Sequence, residues 1–144
     1  MGLTLYFAPR TRSGRARWML EELGATYDLK AVDLDKGDNK KVEYLRLHPL
    51  GEVPALVDDD VTVIEPTAIC MYLADRFPER KMAPAVGTPE RAAYYQWLTF
   101  AGTVVEPVVQ TIFDATVTSP DPEKSPPILA VANKRWRDVG KALD

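Results

Sequence analysis

His48-Pro49-Leu50-Gly51-Glu52-Val53-Pro54-Ala55-Leu56-Val57, with Ile64-Glu65-Pro66-Thr67-Ala68-Ile69 shortly after it, reads as a turn, a strand opened by proline and the start of a helix. Proline removes a ladder donor, so Pro54 belongs at a strand's beginning or edge. The arrangement offers backbone groups to a peptide, and the helix start offers a positive end to a carboxylate. Val53 to Asp58 and Val61 to Ile64, joined through Asp58-Asp59-Asp60, predict a hairpin. Pro66 to Arg76 predicts the next helix, with proline at the first position, where its missing N–H costs nothing. Upstream, residues 3 to 8 alternate and run into Pro9, which predicts a buried strand ending at a loop. Residues 13 to 24 predict a helix, with Ser13 as its N-cap, Ala16, Met19, Leu20 and Leu23 on one face, and Gly24 at the stop. Tyr27 to Val32 gives a second strand and the polar segment 38 to 47 a short helix. The order is therefore βαβ followed by ββα, with a right-handed crossover expected in the first unit.

From Phe77 to Gly87 the chain turns polar and carries Pro78 and Pro84, the character of a linker. Three segments follow: a domain over 1–77, a linker over 78–87 and a helical region over 88–144. Thr88-Pro89-Glu90 caps a long helix expected to reach Ala115, with Glu90 in the first turn, where the macrodipole favours it. Pro107 lies inside that helix and predicts a kink. Ser119-Pro120-Asp121-Pro122 is a second break, and Ser125-Pro126-Pro127 opens another helix. Its Ile128, Ala132, Trp136, Val139 and Leu143 recur at helical spacing and form an apolar stripe that needs a partner.

The 144 residues are 46% hydrophobic and 27% charged, enough to bury a core as one large domain or two small ones. A net charge of -3 gives no global attraction to nucleic acid or an anionic membrane. Cys70 is the single cysteine and His48 the single histidine, which leaves little material for zinc sites or for Cys-His and Ser-His-Asp catalysis. Cys70, between Ile69 and Met71, reads as a small buried thiol rather than a nucleophile. The sequence shows no signal peptide or long apolar span, so a cytoplasmic location is expected.

Together with Leu3-Thr4-Leu5-Tyr6-Phe7-Ala8-Pro9 and Trp18-Met19-Leu20-Glu21-Glu22-Leu23-Gly24, the opening stretches resemble the glutathione S-transferase family, strongly to about residue 85 and more loosely beyond. The resemblance implies an α/β thioredoxin-like N-terminal domain followed by an incomplete all-α C-terminal domain. Family members continue through further helices, so the chain is expected to be partial; the alternative is a short protein that buries its apolar stripe in a dimer. A homodimer is expected by resemblance.

The resemblance also assigns a site. Glutathione carries two carboxylates, an ammonium and a thiol. Val53 precedes what the family makes a cis-proline, Pro54, and would present its backbone to the cysteinyl part. The alternative is that Pro54 merely starts an edge strand. Glu65 matches the acidic residue that meets the γ-glutamyl group, whereas Pro66 stands where the family has serine and supplies neither hydroxyl nor N–H. Thr67 carries both. Glu65-Pro66-Thr67 can equally be only a good helix start. For the glycyl carboxylate Lys36, Lys40, Lys41 and His48 are candidates, with Lys40 and His48 retained, although lysines 40 and 41 also suit a solvated face and His48 can simply fill the loop. Glu52 replaces a lysine often found there. Thiol activation is expected from Thr11 or Ser13, with Arg10 adding positive potential, and Ser13 alternatively a plain N-cap. Of Tyr94, Tyr95, Trp97, Phe100 and Phe113, most are assigned to the core and one or two to an electrophile pocket.

The expected activity is conjugation of the glutathione thiolate to small electrophiles. One alternative is a glutathione-dependent disulfide oxidoreductase on the same fold, favoured by the threonine-bearing loop. Another is a non-catalytic interaction module, favoured by the arginine-rich loop and Pro66. Glutathione serves as co-substrate; no metal, further cofactor, nucleic acid or membrane partner is expected.

Overall fold

Alternation along β1 (Leu3–Phe7) sends Leu3 and Leu5 to one face of a sheet and Tyr6 to the other. This computed structural model describes residues 2–143. After β1 come α1 (Ser13–Leu23), β2 (Tyr27–Ala31), a 3₁₀ turn (Asp38–Lys40), α2 (Val42–Leu45), β3 (Ala55–Asp58), β4 (Val61–Ile64) and α3 (Pro66–Arg76). The strand order is β2-β1-β3-β4. β1 runs parallel to β2 and antiparallel to β3, and β4 is antiparallel to β3. This is a thioredoxin-like domain.

Leu3, Leu5 and Leu56 meet Ala16, Leu20 and Leu23 of α1 and Ile69 and Leu73 of α3 in one core cluster. Burying each such Leu or Ile side chain contributes about 1.5 to 3 kcal/mol. On the opposite face Ala55, Val32 and Tyr44 form a smaller cluster. Neighbouring residues of β3, Ala55 and Leu56, thus serve the two cores alternately.

Several local expectations change in this domain: β1 ends at Phe7 rather than Ala8, and β3 begins at Ala55 rather than Val53. Ser13 is the first helical residue, not the cap: Arg12 holds the N-cap position without a side-chain bond, and the Ser13 hydroxyl turns back to Ala8. The segment 38 to 47 is not one helix, because the extended backbone of Lys41 separates the 3₁₀ turn from α2. β2 ends one residue early, although the Val32 N–H still bonds the Phe7 carbonyl at 2.8 Å. Gly24 behaves as expected: at φ 60° it closes α1, its N–H bonding Glu21.

The chain separates into two compact units between Ala85 and Val86, inside the stretch read as a linker. The second unit contains α4 (Pro89–Phe100), a π turn (Ala101–Val105), α5 (Glu106–Phe113), a second π turn (Asp114–Thr118) and α6 (Ser125–Leu143). Pro107 has no N–H for the Thr103 carbonyl, and its ring crowds that carbonyl. Where a kink was expected the hydrogen-bond ladder widens, and the Glu106 N–H reaches back to the Ala101 carbonyl. Thr88 occupies the N-cap of α4 with extended backbone, but its side chain makes no capping bond.

Before α6, Asp121 Oδ1 accepts the N–H groups of Glu123 and Lys124 at 2.9 and 3.0 Å. Ser125 Oγ accepts the Asp121 N–H at 2.9 Å. Ala132 and Val139 of the apolar stripe are buried, whereas Ile128, Trp136 and Leu143 stay exposed. Tyr95, Trp97 and Phe113 are exposed as well, against the expectation that most aromatics of this region are core. No helix among the described residues is long and apolar enough to cross a membrane.

Candidate functional site

Strand register brings the chemistry-bearing segments to one end of the sheet. Tyr6 pairs with Ala55, so the end of β1 and the loop holding Thr11 and Ser13 adjoin the approach to β3 through Val53 and Pro54. Ala55 in turn pairs with Ile64, which sets Glu65, Pro66 and Thr67 beside the same approach. Phe7 pairs with Ala31, so the segment after β2, which leads to Lys40, departs from this end too.

In the first loop, Ser13 is fully buried and Thr11 half-buried. The Ser13 hydroxyl lies 2.8 Å from the Ala8 carbonyl oxygen and accepts the Ala8 N–H at 3.1 Å. Thr11 Oγ1 lies 2.8 Å from the same carbonyl and 2.6 Å from Ser13 Oγ, and it accepts the Ser13 N–H at 3.2 Å. Ser13 is therefore a buried tie between loop and strand, and Thr11 is the hydroxyl nearer the surface. Arg10, exposed, turns the chain at φ 58°.

The Val53-Pro54 peptide is cis. Val53 lies outside β3, and among the described residues neither its N–H nor its carbonyl has a partner. The carbonyls just before it are all engaged. Lys40 Nζ donates to Leu50 O at 2.9 Å and Gly51 O at 3.3 Å, Asn39 Nδ2 donates to Gly51 O at 2.7 Å, and the Tyr44 hydroxyl donates to Glu52 O at 2.6 Å. Burial pushes the Tyr44 phenol up to about 12, with the nearby Tyr6 adding to it, so the hydroxyl stays a donor through the neutral range. Lys36 and Lys41 instead pair with Asp33 and Asp38 at 2.9 and 2.6 Å in exposed ion pairs that contribute little. His48 is buried with Nδ1 lacking a partner, and its carbonyl accepts the Gly51 N–H at 2.8 Å.

At the third segment Glu65 has φ 72°, an uncommon backbone state for a residue with a Cβ, and precedes α3 as its N-cap. Its carbonyl accepts the Ile69 N–H, so Pro66 takes the first position and Thr67 the second. Burial raises the pKa of Cys70, with Arg15 pulling the other way, which keeps this half-buried thiol protonated. No group of three or more His, Cys, Asp or Glu side chains able to hold a metal occurs among the described residues.

Asn39 and Tyr44 were not candidates on sequence. Their contacts reach twelve and eight residues along the chain, respectively, and the local signals were only a lone aromatic in a polar segment and a glycine at 51.

A four-stranded sheet in the order β2-β1-β3-β4, an unpaired residue before a cis-proline and two helix starts at one end define a thioredoxin-like class of domain. The family model for the glutathione S-transferase N-terminal domain matches residues 1–75. Glutathione S-transferase GstA of Escherichia coli O157:H7 is 32% identical over 98% of this chain and 70% of its own length. The disulfide-bond oxidoreductase YfcG of Escherichia coli K12 is 36% identical over 67% of this chain and 46% of its own. The solved glutathione transferase URE2P6 from Phanerochaete chrysosporium, in complex with oxidised glutathione, matches with a TM-score of 0.85 at 32% identity, covering 98% of this chain and 66% of that one. The chain spans about half the length of the curated relatives it matches. It belongs to the glutathione S-transferase family.

Proposed function

We propose that this chain binds glutathione at the end of the sheet and presents its thiolate to small electrophiles. The observation that carries the reading is Val53, whose unpaired N–H and carbonyl precede a cis-proline and adjoin the starts of α1 and α3. The cysteinyl unit pairs with Val53 as a short added strand. Glu65 accepts from the γ-glutamyl ammonium. Its carboxylate neighbour takes the N–H and hydroxyl of Thr67, because Pro66 has neither.

Free thiols titrate at about 8.5, and lowering that to about 6.5 requires roughly 2.7 kcal/mol of preferential thiolate stabilisation. One hydrogen bond to a charged acceptor contributes about 1.5 to 3 kcal/mol and a helix N-terminus about 0.3 to 2. Thr11 and the start of α1 therefore suffice, with Ser13 fixing the loop and Arg10 adding positive potential. In the reaction the sulfur forms a bond to the electrophilic carbon, the leaving group departs with its electron pair, and the thiol proton passes to water.

The same thiolate can attack a mixed disulfide, releasing the other sulfur as a thiolate. The hydroxyl-bearing loop and the likeness to YfcG favour this second reading. Steady-state rates with an aryl halide and with a glutathione mixed disulfide separate the two. Conjugation predicts turnover of the halide, the second reading turnover of the disulfide alone, and failure to bind glutathione in calorimetry overturns both. We extend the proposal to a cytoplasmic homodimer, for which sedimentation gives the direct test.

A further inference from the structure

We infer that Asn39, Lys40 and Tyr44 form a clasp on three successive carbonyls, Leu50, Gly51 and Glu52, that sets the main chain of Val53 for its ligand. They are positioning residues, and the inference rests on the glutathione-binding reading above. All four hydrogen bonds come from one short segment, at 2.6 to 3.3 Å.

Besides the clasp, the stretch is held by the Gly51 N–H bond to the His48 carbonyl at 2.8 Å and by buried His48 and Pro54 on either side. It lies outside the strands, Leu50 is 66% exposed and Glu52 is exposed, so no apolar side chain of those two anchors it in a core. Gly51 permits the approach: at φ 62°, an added Cβ would stand 2.5 Å from the Asn39 carbonyl oxygen. Tyr44 is only 6% exposed and packs against Tyr6 of β1 at 5.6 Å between ring centroids, so the clasp is mounted on the sheet itself. With the preceding carbonyls engaged by residues 39–44, the next free backbone acceptor is the Val53 carbonyl, beside that residue's own free N–H. Lys40 then acts on a ligand through the chain rather than as an anchor for its glycyl carboxylate.

The two roles of Lys40 separate with a ligand that lacks that carboxylate. The test measures binding of glutathione and of its glycyl monoethyl ester to the 144-residue chain and to Lys40→Met and Tyr44→Phe. Backbone order parameters of Gly51, Glu52 and Val53 are followed by NMR, and the loss is divided between KM and kcat.

The clasp predicts that each variant weakens both ligands by the same factor, about tenfold, with the loss in KM. Order parameters of the three residues fall from about 0.85 to below about 0.6. A Lys40→Met loss confined to glutathione and absent for the ester makes Lys40 a carboxylate anchor and overturns the inference. Tyr44→Phe removes one hydroxyl and keeps the ring; a folded Tyr44→Phe protein with unchanged affinity and unchanged order parameters also overturns it. If the unmodified chain binds neither ligand, the glutathione reading itself falls, and with it this role.

Discussion

Thr11 and Ser13 share two hydroxyl protons among three oxygens, and that shortage separates their roles. If both donated to Ala8 O, the 2.6 Å contact between the two hydroxyls would have no proton in it. One consistent arrangement has Ser13 donating to Ala8 and Thr11 donating to Ser13. The other has Thr11 donating to Ala8 and Ser13 donating to Thr11. From the second, Thr11 can turn its proton to a bound sulfur while still accepting from Ser13. Thr11→Val keeps the shape and removes the donor. We expect it to raise the pKa of bound glutathione towards that of free thiol and to lower kcat/KM by roughly 10- to 100-fold, as loss of one hydrogen bond to a charged group implies. Thiolate absorbance against pH checks the first, steady-state kinetics the second. Ser13→Ala, by contrast, leaves the buried Ala8 N–H unpaired and is expected to cost about 1 to 3 kcal/mol of stability, read by denaturant unfolding.

At the scale of the element, the start of α3 carries the sharpest departure from the family pattern. An N-terminal helix turn offers free N–H groups, and proline at the first position withdraws one of them while favouring the helix itself. Pro66→Ser restores an N–H and adds a hydroxyl. If the γ-glutamyl carboxylate sits there, glutathione should bind about tenfold more tightly, corresponding to about 1.4 kcal/mol. Calorimetry at constant ionic strength measures it, and unchanged affinity would move the carboxylate elsewhere. The limits of α3 were legible because Pro66 marks its first residue and the apolar spacing runs unbroken to Arg76. The turn of β3 into β4 was legible from its aspartates. Less could be read where a side chain chooses among backbone partners: Ser13 resembles a cap in sequence, yet its hydroxyl meets a carbonyl five residues back, just past the end of β1. A proline at 107 announces a break in a helix, but not that the ladder widens over Ala101–Val105 instead of ending. The clasp on residues 50–52 had no periodic signature, because hydrogen bonds from Asn39, Lys40 and Tyr44 follow tertiary proximity alone.

Across the whole molecule, the buried apolar side chains are unevenly divided. The unit ending at Ala85 contains both core clusters, whereas the buried apolar residues of the second unit are Val108, Ala115, Ala132 and Val139. Val109, Val117, Val131 and Trp136 of that unit remain substantially exposed. Local opening follows buried contact, so the two units should not share one unfolding free energy, and a single two-state fit should fail. Hydrogen exchange followed by mass spectrometry is expected to show slow amides in β1, β3, α1 and α3 and faster exchange throughout α6. Adding glutathione at about a hundred times its dissociation constant should stabilise the binding unit by roughly 2.7 kcal/mol, close to a hundredfold slowing of its slowest amides. The α6 amides should change less, because a ligand protects a region only through openings that release it. Uniform slowing of both units would instead mean that they open together, and the uneven division of the core would then not be what governs the stability of this chain.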